Sequence, residues 1–165
     1  MQKLSTCLWF DSNAEEAVAF YTTIFKNSKI KDITHYAEAG KELHGKPAGT
    51  VLTIAFELEG REFIALNGGP MFKFTEAISL SINCETQEEM DYYWQRLSQG
   101  GDEQAQQCGW LKDKYGLSWQ IVPTRLNELL ADPDKERAGR AMQAMLQMRR
   151  LDVAALEAAA EGRAA

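Results

Sequence analysis

Two stretches of this chain carry the same helix pattern at a constant offset, and that repetition constrains the fold more than any other feature. Ala17, Phe20, Tyr21 and Ile24 recur at i, i+3, i+4 and i+7, one face of an amphipathic helix. Met90, Tyr93, Trp94 and Leu97 repeat that spacing, and Glu88-Glu89 falls where Glu15-Glu16 stands in the first stretch. One such helix says little. Two with the same anchors and the same acidic first turn predict a duplicated unit. The paired carboxylates fit the first helical turn, where the helix dipole favours negative charge by about 0.3–1 kcal/mol, better than an acid–base pair.

Strand patterns surround both helices. In the first half they cover Leu4 to Phe10, Ile30 to Tyr36, Thr50 to Glu59 and Phe63 to Leu66, with a hairpin turn at Glu59-Gly60-Arg61. Ser12 or Asn13, each followed three residues later by Glu, supplies the first helix cap. Residues 38 to 49 are rich in Gly and Pro and read as a loop. In the second half, Ala77 to Asn83 leads to a capping box of Thr86 and Glu89, and Gly100-Gly101 ends the helix. Gln104 to Gln107, Trp110 to Lys112 and Leu117 to Val122 follow as short strands, with a turn over 113–116.

Each half therefore reads β-α-β-β-β. The expected fold class is α+β: two βαβββ repeats forming a curled mixed sheet over 1–123, with a helical C-terminal tail over 124–165. Helices lie on one face of such a sheet, and the other face forms a trough. The tail is expected to hold a short helix at Leu126 to Leu130. A second starts with Asp132 as cap and Pro133 as first helical residue, and a third starts at Asp152. It reads as an appendage, and Met142, Met145 and Met148 at helical spacing suit packing or, alternatively, an adaptable partner surface.

The formal net charge of −6 and pI near 5.0, with no Lys/Arg cluster beyond Arg149-Arg150, argue against nucleic-acid binding. No apolar run approaches the ~20 residues of a membrane helix, and the N-terminus lacks a signal-peptide pattern. Three scattered cysteines, Cys7, Cys84 and Cys108, without a CxxC pair suit reduced thiols in a cytoplasmic protein. Cys7 and Cys84 sit near the first strand of each half, which leaves a thiol pair as an alternative to inert packing; Cys108 is the better candidate for an accessible thiol. The two histidines, His35 and His44, are candidate general bases, but no Ser or Cys nucleophile is placed beside them by the sequence.

Several segments carry a family likeness. Asn13-Ala14-Glu15-Glu16-Ala17 leading to Phe20-Tyr21 resembles the first helix of the glyoxalase/bleomycin-resistance/dioxygenase superfamily, also called the vicinal oxygen chelate fold. Residues 65–70 (ALNGGP), 72–74 (FKF), 109–113 (GWLKD) and 118–123 (SWQIVP) resemble its PhnB-like branch, whose members often bear the label 3-demethylubiquinone-9 3-methyltransferase. The likeness is expected to cover the whole chain, tail included.

Relatives in this superfamily hold a divalent metal with His, Glu or Gln side chains on trough-facing strands. Carried onto this chain, those positions fall near Thr6, Asn67, Ala77 and Gln120. Thr and Ala are not useful ligands and the amides are weak, neutral ones, so no metal and no other cofactor is expected. The methyltransferase label finds no Gly-rich turn after a first strand, where methyl donors are held in doubly wound folds. What remains is a small-molecule pocket with aromatic walls, Phe72, Phe74, Trp110 and Trp119, and polar groups Thr6, Asn67, Asp113 and Gln120. The bland alternative is that the aromatics merely fill the space. Tyr93 and Trp94, on the buried helix face, are expected in the core.

The resemblance implies a homodimer with a small-molecule ligand. The leading expectation is metal-free binding with no assigned reaction. Its alternatives are a metal-dependent lyase or dioxygenase with substituted ligands such as Gln120 and His35, a ubiquinone-pathway methyltransferase, and an interaction module whose tail docks a partner while the body folds alone.

Overall fold

The structure, a computed structural model, describes residues 3–163. It divides into two compact units, Met1–Lys73 and Phe74–Ala165. The fold is α+β, as the repeat predicts, but its strands form two mixed sheets of four and three strands where one curled sheet was expected.

In the first unit the elements run β1 (Thr6–Phe10), α1 (Ala14–Ile24), β2 (Ser28–His35), a short helix α2 (Lys41–His44), β3 (Val51–Leu58) and β4 (Arg61–Asn67). The sheet order is β1-β4-β3-β2, with β1 parallel to β4 and the other pairs antiparallel. Glu59 and Gly60 both have positive φ (46° and 77°), the type I′ geometry that matches strand twist in a two-residue hairpin. Register sorts the side chains. Leu8, Phe10, Ile54, Phe56, Phe63 and Ala65 share one face and are buried, as are Ala17, Val18, Tyr21 and Ile24 of α1. Cys7, Trp9, Thr53, Ala55, Ile64 and Leu66 share the opposite, open face, and none of them is buried.

The second unit runs β5 (Ser79–Cys84), α3 (Gln87–Ser98), β6 (Trp110–Lys112) and β7 (Ser118–Pro123), in sheet order β5-β7-β6. β5 lies parallel to β7. Both halves thus set their first strand parallel beside their last. The halves differ at 104–107. There the chain makes a 3-10 turn, Glu103–Ala105, and Gln107 meets Trp110 only as an isolated bridge. The cause is local: the Asp102 carboxylate accepts the Gln104 amide at 2.9 Å and bends the chain out of extension. Cys108 and Gly109 then take positive φ, and their amides donate to the carbonyls of Met148 and Arg149, both at 2.8 Å. The first half has β2 beside β3; in the second half that strand has no counterpart among the described residues, and the residues ahead of β6 bond to tail carbonyls instead.

The tail comprises α4 (Thr124–Leu130), α5 (Lys135–Leu146) and α6 (Val153–Ala160). It is packed into the second unit. Leu151 and Leu156 are fully buried, and Gln87 of α3 donates to the Leu151 carbonyl (3.2 Å) and accepts the Val153 amide (2.9 Å). A tail that docks elsewhere and leaves the body intact does not fit that burial. Thr86 and Asp152 cap α3 and α6 as expected, accepting the Glu89 and Ala155 amides. The α5 cap is Asp134, not Asp132. Asp134 accepts the amides of Glu136 and Arg137, while Asp132 spends its oxygens on the Asp134 amide and the Arg137 guanidinium. Among the described residues, no helix is long and apolar enough to cross a membrane.

Candidate functional site

The open face of each sheet is the surface on which a ligand would rest, so the expected pocket residues are placed against it, unit by unit. In the first unit, Thr6 pairs with Phe63 in the row of Leu8 and Phe10, on the helix-covered face. Asn67 pairs with Phe10 in that same row and is 2% exposed. Its Oδ1 accepts the Ala14 amide at 2.9 Å, and its Nδ2 donates to the Glu15 carboxylate (2.7 Å) and the Val51 carbonyl (3.1 Å). Asn13, expected as a cap, makes no side-chain cap bond. Asn67 reaches across from β4 and supplies it, so Asn67 is committed to the fold, while Thr6 is half-buried on the same helix-covered face.

The site residue that sequence reasoning missed is Trp9. It lies on the open face beside Leu66, with its Nε1 donating to the Gly69 carbonyl at 2.8 Å. Phe72 meets it edge-on at 4.9 Å between ring centroids and stays 59% exposed. A Cβ on Gly68 would come within 2.3 Å of the indole, so glycine is required for the ring to lie flat over that strand end. The Asn67-Gly68-Gly69 run therefore has three separate duties: a helix cap, a close approach and a carbonyl turned toward Trp9. The alternation Cys7/Trp9 against Leu8/Phe10 was the available signal, but all four residues are apolar, and the period-2 rule does not choose a face among them.

The Lys31 charge on this face is already paired. Lys31 forms ion pairs with Glu57 (3.0 Å) and Glu62, which hold its ammonium above its ordinary pKa, and the Lys31 hydrogen bond holds the Glu57 carboxyl below its own. His35 is exposed on the edge strand β2, and His44 packs its ring on Tyr36 at 4.5 Å. Among the described residues, neither has a nucleophile bonded to it.

In the second unit, Trp119 and Asp113 come together as core. Trp119 is 2% exposed and its Nε1 donates to Asp113 Oδ2 at 2.8 Å; Asp113 Oδ1 accepts the amides of Tyr115 and Leu117. That carboxylate organises the turn between β6 and β7 and is likewise committed to the fold. Trp110 and Gln120 are directly paired on the open face, and both are half-buried. Gln120 donates to Ser79 Oγ at 2.8 Å, which leaves its carbonyl oxygen as an acceptor. Ser118, on the same row, has a buried hydroxyl without a partner. Lys112 is tied to Glu76, whose carboxyl it holds below the ordinary range. Phe74 is half-buried ahead of β5, and Ala77 is exposed there. Tyr93 is buried as expected, Trp94 half-buried.

Cys84 is fully buried, and loss of solvent followed by the Glu89 charge pushes its thiol up to about 12. Such a thiol is inert, which removes the paired-thiol alternative. Cys7 is exposed on the open face, though burial of its sulfur raises its pKa. Among the described residues, no group of three or more His, Cys, Asp or Glu stands together that could hold a metal ion. A depression of about 640 Å³ at the C-terminal end of α3, bordered by Gln95, Arg96, Gln99, Glu103 and Gln106, includes none of the expected pocket residues.

A duplicated strand–helix unit whose first and last strands lie parallel defines the glyoxalase/bleomycin-resistance/dioxygenase class of fold, and this chain has it. Within that class the chain belongs to the PhnB-like family described as 3-demethylubiquinone-9 3-methyltransferase, which matches residues 2–122. The match ends with β7, so the expectation that the likeness takes in the tail is corrected. A putative 3-demethylubiquinone-9 3-methyltransferase, PhnB protein, from Bacillus cereus is similar at 39% identity over 74% of this chain and 100% of its own, with a TM-score of 0.62. Protein PA1353 from Pseudomonas aeruginosa (16% identity, 74% and 98% coverage, TM-score 0.57) shares the fold alone. So does the fosfomycin resistance protein FosX from Listeria monocytogenes (15%, 79% and 98%, TM-score 0.54). No curated protein matches the chain.

Proposed function

We propose that this protein binds a flat, uncharged small molecule on the open sheet faces without a metal, as a homodimer in the cytoplasm. The observation that carries the reading is the make-up of those faces. Each presents a half-exposed tryptophan, Trp9 or Trp110, among small and neutral side chains, while the nearby cations Lys31 and Lys112 are held by carboxylates. An indole beside an unspent amide acceptor suits an aromatic ring bearing a hydroxyl. A phosphonate anion such as fosfomycin, by contrast, needs unspent cations or a metal.

The methyltransferase label receives no physical support. The turn between β1 and α1 reads Asp11-Ser12-Asn13, without the glycine that lets backbone approach a bound nucleoside, and the first amide of α1 is taken by Asn67 and is not open to a ligand carboxylate. We expect no heat on calorimetric titration with S-adenosylmethionine. Ligand-observed NMR with 1-naphthol, coumarin and fosfomycin tests the main reading. Saturable binding of an uncharged aromatic, lost in Trp9→Ala or Trp110→Ala, supports it. Binding of fosfomycin alone, or of no compound across a broad metabolite library, overturns it. Sedimentation equilibrium checks the dimer.

A further inference from the structure

We propose that the loop joining β2 to β3 is a hinged lid, with Leu43 at its tip as the residue that covers the tryptophan end of the first sheet. The proposal rests on the binding reading for what is covered, but not for the motion itself.

The loop is built as a body on a neck. At the neck the Tyr36 amide donates to the Thr50 carbonyl (2.8 Å) and the Gly49 amide to the Tyr36 carbonyl (2.9 Å). Beyond it the bonds close internally. The Gly40 carbonyl accepts the Leu43 and His44 amides, the Gly45 amide donates to Lys41, and Lys41 pairs with Glu38 at 3.0 Å. The single turn α2 is therefore carried as a unit rather than frayed. On either side of it stand glycines in the left-handed region: Gly40 (φ 83°), Gly45 (φ 66°) and Gly49 (φ 86°). At Gly45 and Gly49 a Cβ would meet nothing within 4 Å, so those glycines serve backbone freedom and not close packing.

The resting position is held by His44 on Tyr36 and leaves two groups unspent. His44 packs on Tyr36, and its Nδ1 accepts the Lys46 amide at 3.0 Å. Its Nε2, which then carries the proton, is shielded from solvent with no acceptor. Leu43 is 88% exposed. Tyr36 fixes where the lid stands, since its hydroxyl donates to the Asn67 carbonyl at 2.7 Å. That is the end of β4 from which Gly68 and Gly69 run to Trp9 and Phe72. Met71 (77% exposed) and Phe72 (59%) lie in that segment, and Leu43 stands in water on the loop whose neck Tyr36 ties to the same strand end. Closure of the loop on its glycines covers Met71 and Phe72 with Leu43.

Disulfide trapping tests the motion without any ligand. In a Cys7→Ser, Cys108→Ser background, Leu43→Cys is combined with Met71→Cys, or with Ser12→Cys at the same end of the sheet as a control. Expected is oxidation about tenfold faster for the 43–71 pair than for the 43–12 control, because closure brings only the former together and a minor state of a few per cent is enough to be trapped. Equal rates, or no 43–71 bridge, overturn the lid. Dissociation of 1-naphthol from Leu43→Ser separates the two claims. Tight, Trp9-dependent binding with an unchanged off-rate overturns the lid and spares the binding reading. A preferential 43–71 bridge with no 1-naphthol bound supports the lid and counts against the reading.

Discussion

Replacing Asn67 separates a brace from a ligand-binding group. In Asn67→Ala the first amide of α1 loses its acceptor, and the Val51 carbonyl loses a donor, at a residue only 2% exposed. Loss of a cap costs about 0.5–2 kcal/mol. A buried backbone group left without its partner costs about 1–3 kcal/mol more. The Glu15 contact adds little, because that residue is exposed. The sum, about 1.5–5 kcal/mol, is a large part of the 5–15 kcal/mol that holds a typical domain. Asn67→Asp sharpens the test. Its new carboxylate would face Glu15 and the Val51 carbonyl, where the amide donates. Both neighbours raise the folded-state pKa of the introduced group. A group raised in the folded state binds its proton there first, so the variant recovers stability as pH falls through that pKa and is weakest above it. Urea unfolding followed by far-UV circular dichroism at pH 7 and pH 5 measures both effects. A cost below about 0.5 kcal/mol for Asn67→Ala, together with lost ligand binding, would refute the assignment.

Four further outcomes follow from the same geometry. Leu151→Ala, at a fully buried position against Gly109, should lower the midpoint of urea unfolding by the equivalent of about 2–5 kcal/mol, whereas an appendage would tolerate it. Iodoacetamide at pH 8 should label Cys7 in the folded protein and Cys84 only after denaturation; equal labelling rates contradict the burial of Cys84. Glu57, Glu76 and Asp132 have folded-state values lowered mainly by Lys31, by Lys112 and by the Asp134 amide. Their contribution is present above the unfolded values near 4.5 and 3.8 and is lost as pH falls through the lowered ones, so thermal stability should hold from pH 7 to 5 and decline below about 4.5. Gly68→Ala should displace the Trp9 ring and change tryptophan emission with little loss of secondary structure; an unchanged spectrum would show that the ring does not lie over Gly68.

The duplicated architecture was legible because helix periodicity and capping are local. The anchors Ala17, Tyr21 and Ile24, the Thr86 and Asp152 caps, and the Glu59-Gly60 turn each act within a few residues. The site was less legible because it depends on pairing across the chain. Family position puts Asn67 and Thr6 in a pocket, yet the β1–β4 register turns both toward the helix. Trp119 has the character of a pocket wall, but Asp113, six residues earlier, holds it in the core. Gln104 to Gln107 has no residue that forbids a strand; it is the Asp102 side chain and the tail carbonyls at Met148 and Arg149 that take the chain elsewhere. Where the partner lies far along the chain, as the tail carbonyls do from Cys108 and β4 from β1, the competition leaves no local signature.

The central claim is that the ligand is gripped by indole faces and amides, with no ion between. Elemental analysis of the purified protein, after growth with nickel, zinc, manganese and iron and dialysis without chelator, addresses it directly. The expected result is metal far below one equivalent per chain and undiminished 1-naphthol binding; a full equivalent of one divalent metal, whose removal abolishes binding, would contradict it.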